Sequence, residues 1–131
     1  MPRRRRALVV GLIGDLGSGK TTFVQGFAKG LGIRHRMVSP TFLIFRRYKI
    51  PPTPNFQPLT SFVVHMDAYR INGIKDLAPL HFKKLLADPR NLILIEWADQ
   101  IKKALPKNTQ WIHFSHGKHR KERHMHIDIS I

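Results

Sequence analysis

Apolar runs, their periods and the breaks between them divide this chain into strands and helices. Ala7–Ile13 is a continuous β-rich apolar run, the pattern of a strand covered on both faces. The turn from Gly14 to Thr22 then opens a helix on which Phe23, Phe27 and Leu31 recur every fourth residue and share one side, with Gly30 and Gly32 marking its end. Thr41–Ile50 reads as a strand, broken by Pro51-Pro52-Thr53-Pro54, and Leu59–Met66 reads as another. Gly73–Ala87 is expected to be helical, with Leu77, Leu80, Lys84 and Leu85 on one side and Asp88-Pro89 as its stop. Leu92–Ile95 is a short apolar strand running into Glu96-Trp97, and a short helix carries the chain to Leu105-Pro106. The tail reads as a hairpin from Gln110–Ser115 through a turn near Gly117 to His124–Ile131. On its last strand Met125, Ile127, Ile129 and Ile131 alternate with His124, His126, Asp128 and Ser130. Strands alternating with helices predict an α/β domain over residues 7–131 with a mixed, mainly parallel sheet and a C-terminal β-hairpin, preceded by a basic arm over residues 1–6.

The length, 131 residues, is that of one domain, and 42% apolar residues suffice for a core. Charge adds a sharper fact. Against 8 Asp and Glu stand 23 Lys and Arg, a net +15, which favours polyanionic partners but does not bear on fold. Without cysteine, disulfides, thiol catalysis and Cys-ligated metal sites are excluded, and the composition is consistent with the cytoplasm. Arg3–Arg6 before an apolar run imitates a secretion signal, yet the run is too short to span a bilayer and no small-residue cleavage pattern follows.

The chemistry concentrates after the first strand. Gly14-x-x-x-x-Gly19-Lys20-Thr21 satisfies the Walker A pattern between a predicted strand and a predicted helix, the context that gives this motif meaning. Glycines allow the tight turn through which several backbone N–H groups converge on phosphate oxygens, and the helix N-terminus adds its positive dipole end. In such a loop, Asp15, Leu16, Gly17, Ser18, Gly19, Lys20, Thr21 and Thr22 surround the phosphates; Lys20 reaches the β/γ oxygens and the Thr21 hydroxyl ligates Mg²⁺. Leu92–Ile95 followed by Glu96 has the Walker B layout, with Glu as the carboxylate for the metal. Asp67, at the end of another apolar strand, is placed either to order an attacking water or to cap the following turn.

The motifs Gly14–Phe23, Ser39-Pro40-Thr41-Phe42, His65-x-Asp67-x-Tyr69-Arg70 and Glu96-Trp97, in this order and spacing, resemble the TsaE (YjeE) family over roughly residues 8–131. The family's members are small P-loop ATPases of bacterial tRNA threonylcarbamoyladenosine (t6A) synthesis. The resemblance implies a three-layer P-loop fold and Mg-ATP hydrolysis that supports the TsaB–TsaD heterodimer in modifying position 37 of tRNA, in the cytoplasm and away from membranes. It also implies that Thr21 and Glu96 hold Mg²⁺, that Thr41 acts as a switch threonine, and that Asp67 and Trp97 are required, Trp97 beside the bound ATP or ADP. The chain departs from the family pattern at Ser18, where Ala is usual, at Ala98, where Pro commonly follows Glu-Trp, and in having only Met1–Arg6 before the first strand.

Two other classes compete. A small-molecule P-loop kinase needs arginines over the phosphates, for which Arg46-Arg47 is the one available pair. A basic RNA-binding or scaffold module would use Arg3–Arg6 and Lys118–Arg123 on tRNA phosphates. The tail histidines, including His113, His124 and His126, sit in a strongly basic stretch that disfavours a cation.

Overall fold

The computed structural model describes residues 5–15, 17–34, 45–52, 60–117 and 121–128. Leu16, Thr41 and the Ser39–Phe42 motif, Arg3 and Arg4, Lys118–Arg120 and Ile129–Ile131 lie outside the described residues. Six strands form one mixed sheet: β1 (Leu8–Ile13), β2 (Phe45–Lys49), β3 (Phe62–Asp67), β4 (Asn91–Glu96), β5 (Gln110–His116) and β6 (Arg123–Asp128). Their spatial order is β2-β3-β4-β1-β5-β6. The contacts β3–β4, β4–β1 and β1–β5 are parallel; the two edge strands pair antiparallel.

The continuous apolar runs became the interior strands because both of their faces are covered. On one face, α1 (Lys20–Gly30) packs Val24 and Ala28, flanked by Phe23, Phe27 and Leu31, against Leu12, Val63, Leu92 and Leu94. The spacing by four therefore marked the flank of the buried stripe, whose centre is the smaller pair Val24 and Ala28. On the other face lie Ile74–Leu80 (3₁₀), α2 (Phe82–Ala87) and Ala98–Ala104 (3₁₀), burying Leu77, Phe82 and Ile101 against Val64, Met66, Ile93 and Ile95. The result is the three-layer α/β arrangement.

The end of α1 shows how glycine sets a boundary. The N–H of Ile33 donates to the Ala28 carbonyl at 3.1 Å and that of Gly32 to Lys29 at 3.0 Å, with Gly32 left-handed at φ 84°.

One expectation is corrected. Gly73–Ala87 is not one helix: it divides at His81, which is left-handed at φ 55°, and its first part is 3₁₀ and contains Pro79. Proline supplies no N–H to continue an α-helical ladder. The alternating pattern of the last strand does not bury a face within 123–128, where every residue is exposed. The cluster beneath α1 reaches Ile112 and Phe114 of β5 and includes no residue of β6.

Candidate functional site

Parallel register brings the site together. Leu12, Glu96 and Asp67 are partners across β1, β4 and β3, so the ends of three strands lie level beside the turn that leaves β1. That turn needs its glycines at two points. Gly19, at φ 109°, turns the chain into α1, and a Cβ on Gly14 would lie 2.6 Å from Ser18 Oγ and 2.7 Å from the Phe114 carbonyl oxygen. Gly17, Ser18, Gly19, Lys20, Thr21 and Thr22 line an open groove of about 750 Å³ together with Asp67, Glu96 and Trp97.

Within the groove the Thr21 hydroxyl donates to Glu96 Oε1 at 3.0 Å. The second carboxylate oxygen, Oε2, accepts from His65 Nε2 at 2.6 Å. Glu96 is 3% exposed and His65 fully buried, so this carboxylate is tied at both oxygens, as a buried charge requires. The partner was not foreseen, although the alternation of β3 puts His65 on the same strand face as Asp67. His65 Nδ1 makes no hydrogen bond among the described residues, an arrangement that costs about 1–3 kcal/mol in a buried polar atom.

Lys20 Nζ donates to the carbonyl oxygens of Gly14 and, at 3.3 Å, Asp15, and sits 3.8 Å from the centroid of the Trp97 ring. Burial pushes its ammonium below the ordinary lysine range, while the carboxylates of Glu96, Asp99, Asp15 and Asp67 pull the other way. Trp97 reaches this position through a left-handed backbone, φ 58° and ψ 38°, which costs a bulky residue about 1–3 kcal/mol. The Tyr69 ring packs against the indole, tilted by 53°, at 5.0 Å between centroids.

Asp67 Oδ1 accepts from the Tyr69 N–H at 2.9 Å, so the turn-capping role is realised, and the side chain still lines the groove. Opposite stand Phe23, Phe114, Lys121, Arg123 and Met125. Arg123 Nε donates to the Gly17 carbonyl at 2.8 Å, bringing the hairpin onto the loop. Of these, Phe23 follows the loop directly on α1, whereas no motif marked Phe114, Lys121, Arg123 and Met125 for the groove, because the β5–β6 hairpin brings them there.

Oxygen donors at 3.0 Å from Thr21 and Glu96 are the chemistry a hard divalent cation takes, so these two residues fit Mg²⁺. Among the described residues no group of three or more His, Cys, Asp or Glu side chains is placed to hold a metal ion, here or elsewhere. Arg47 is not poised over the loop: its guanidinium lies 3.5 Å over the Phe62 ring and donates to Asn91 Oδ1 and Asp88 Oδ2, at the opposite ends of β3 and β4.

A family model described as threonylcarbamoyl adenosine biosynthesis protein TsaE matches residues 2–125. The protein of that name from Streptomyces coelicolor is 39% identical over 92 residues, covering 70% of this chain and 57% of its own length. Its Bacillus subtilis counterpart is 39% identical over 100 residues, covering 76% and 56%. The chain thus spans little more than half the length of these relatives. The crystal structure of Bacillus subtilis YdiB superposes with a TM-score of 0.69 at 31% identity, over 95% of this chain and 69% of that one. With the family model matching nearly its whole length, the chain belongs to the TsaE family.

Proposed function

We propose that residues 7–131 form a single nucleotide-binding domain that hydrolyses ATP with Mg²⁺ in t6A synthesis, in the cytoplasm, in support of a TsaB–TsaD heterodimer acting on tRNA. The observation that carries this reading is the meeting of Thr21 and Glu96 at 3.0 Å beside the loop that holds Lys20. The names of the relatives supply the pathway.

In this mechanism the N–H groups of the loop from Asp15 and Leu16 to Thr22 bind the phosphates. Lys20 exchanges its carbonyl partners for β/γ oxygens and offsets the charge that develops there. Thr21 and Glu96 hold Mg²⁺, which neutralises phosphate charge when bound. Asp67 or Thr41 orients the attacking water, and Trp97 covers the loop from the side. The hairpin cations Lys121 and Arg123 add positive charge to the groove, where tRNA phosphates could approach, while Arg5 and Arg6 offer a separate basic patch before the start of β1.

The test is ATP hydrolysis by the purified chain, alone and with the TsaB–TsaD pair, with Lys20→Ala as control. Turnover stimulated by the pair and lost in the variant supports the proposal. Turnover absent under both conditions would overturn it, and salt-dependent tRNA binding indifferent to Lys20→Ala would favour the RNA-binding module instead.

A further inference from the structure

Histidine at position 65 is not explained by packing. The residue lies on β3, between β2 and β4, and its side chain is fully buried, where an apolar residue would fill the space without leaving Nδ1 unpaired. Its one polar tie is Nε2 to Glu96 Oε2 at 2.6 Å. Glu96 Oε2 is an acceptor there, so the hydrogen of this bond sits on His65 Nε2, and Nδ1 meets no partner among the described residues. The imidazole and the carboxylate cannot drift apart, because β3 and β4 are paired in register from Phe62 and Asn91 to Asp67 and Glu96. With Oε2 held, the remaining oxygen Oε1 is directed at the Thr21 hydroxyl.

We infer that His65 is a positioning residue: its Nε2–H fixes the Glu96 carboxylate so that Oε1 and Thr21 Oγ1 face one divalent cation together. The inference rests on the proposed role of Glu96 and adds the group that makes that role possible. Partners one bond removed from a metal fix ligand orientation, and losing one costs about 10–100-fold in metal affinity.

The experiment measures how much Mg²⁺ tightens the binding of a fluorescent ADP analogue, as the ratio of its Kd in EDTA to its Kd in Mg²⁺. It compares the full chain with His65→Leu, His65→Gln and His65→Asn, each first checked by thermal melting without nucleotide. Gln can present an N–H close to the position of Nε2, whereas Asn falls short of Glu96. The expected result is a magnesium gain reduced about 10-fold or more in His65→Leu and His65→Asn and largely restored in His65→Gln, with the Kd in EDTA unchanged throughout. Folded variants that all keep the wild-type gain would overturn the inference. Equal loss in Gln and Asn would overturn it in favour of packing, and this pair decides the matter even if His65→Leu does not fold. If the unmutated chain binds the analogue without any magnesium gain, or does not bind it, the reading of Glu96 fails and takes the inference with it.

Discussion

The indole of Trp97 lies over the ammonium of Lys20, with Nζ 3.8 Å from the ring centroid. In the proposed mechanism Nζ turns from the Gly14 carbonyl towards phosphate, so nucleotide addition should change the tryptophan emission. Trp97→Phe should abolish most of that change, leaving Trp111 as background. Lys20→Ala should weaken ATP binding about 10–100-fold, the loss of charge-assisted hydrogen bonds worth about 1.5–3 kcal/mol. A titration followed by fluorescence and by calorimetry checks both.

Ser18 is 1% exposed, and its hydroxyl makes no hydrogen bond among the described residues. Ser18→Ala should therefore leave stability unchanged or raise it by up to about 1 kcal/mol, a Tm increase of a few degrees for a domain of this size. A loss of stability beyond about 1 kcal/mol would show that the hydroxyl is satisfied after all.

A Cβ on Gly14 would meet both a side-chain oxygen, on Ser18, and a backbone oxygen, on Phe114. Gly14→Ala should destabilise the domain by more than about 2 kcal/mol and disturb the loop. Combining it with Ser18→Ala should recover little, because the Phe114 carbonyl belongs to β5 and cannot move aside. Denaturant melts of the two single variants and the double variant give the coupling directly.

Stability at acid pH should depend on Asp88. Its carboxyl is held down to about 2, first by the Arg90 side chain and then by the Arg90 N–H, with Arg47 adding a smaller share. A carboxyl whose folded value lies below its unfolded one stabilises the fold above the unfolded value and loses that contribution as pH falls. The loss should run from about pH 4 down to pH 2. With Arg90 exposed to solvent, the effect is on the order of 1 kcal/mol. Asp88→Asn should flatten this part of the pH–stability curve, read by thermal melting from pH 2 to 6.

Much of this was legible beforehand, and the reasons are local. The strand–loop–helix order around Gly14–Thr21 is written in adjacent residues, and the acids Asp67 and Glu96 close apolar runs whose ends a parallel sheet brings level. His65 was hidden because its meaning depends on which strand lies beside β3, a matter of sheet order rather than of spacing. Arg123 was hidden for the same reason, since its contact with Gly17 exists only once the hairpin is placed beside β1. The break at His81 defeated a periodicity argument because Leu77, Leu80, Lys84 and Leu85 keep helical spacing through a residue whose backbone is not helical.

The sheet order also governs when the groove can come into being as the chain folds. Leu8 of β1 pairs with Leu92, and Val10 with Gln110, so the strand bearing the loop finds its neighbours only among segments made much later. Such distant parallel pairings lose loop-closure entropy before any contact compensates it, and they form slowly. The early stretch through α1 would hold Lys20 and Thr21 without Glu96, His65 or Trp97 beside them. During refolding, recovery of nucleotide binding should therefore trail the appearance of helix and coincide with completion of the sheet.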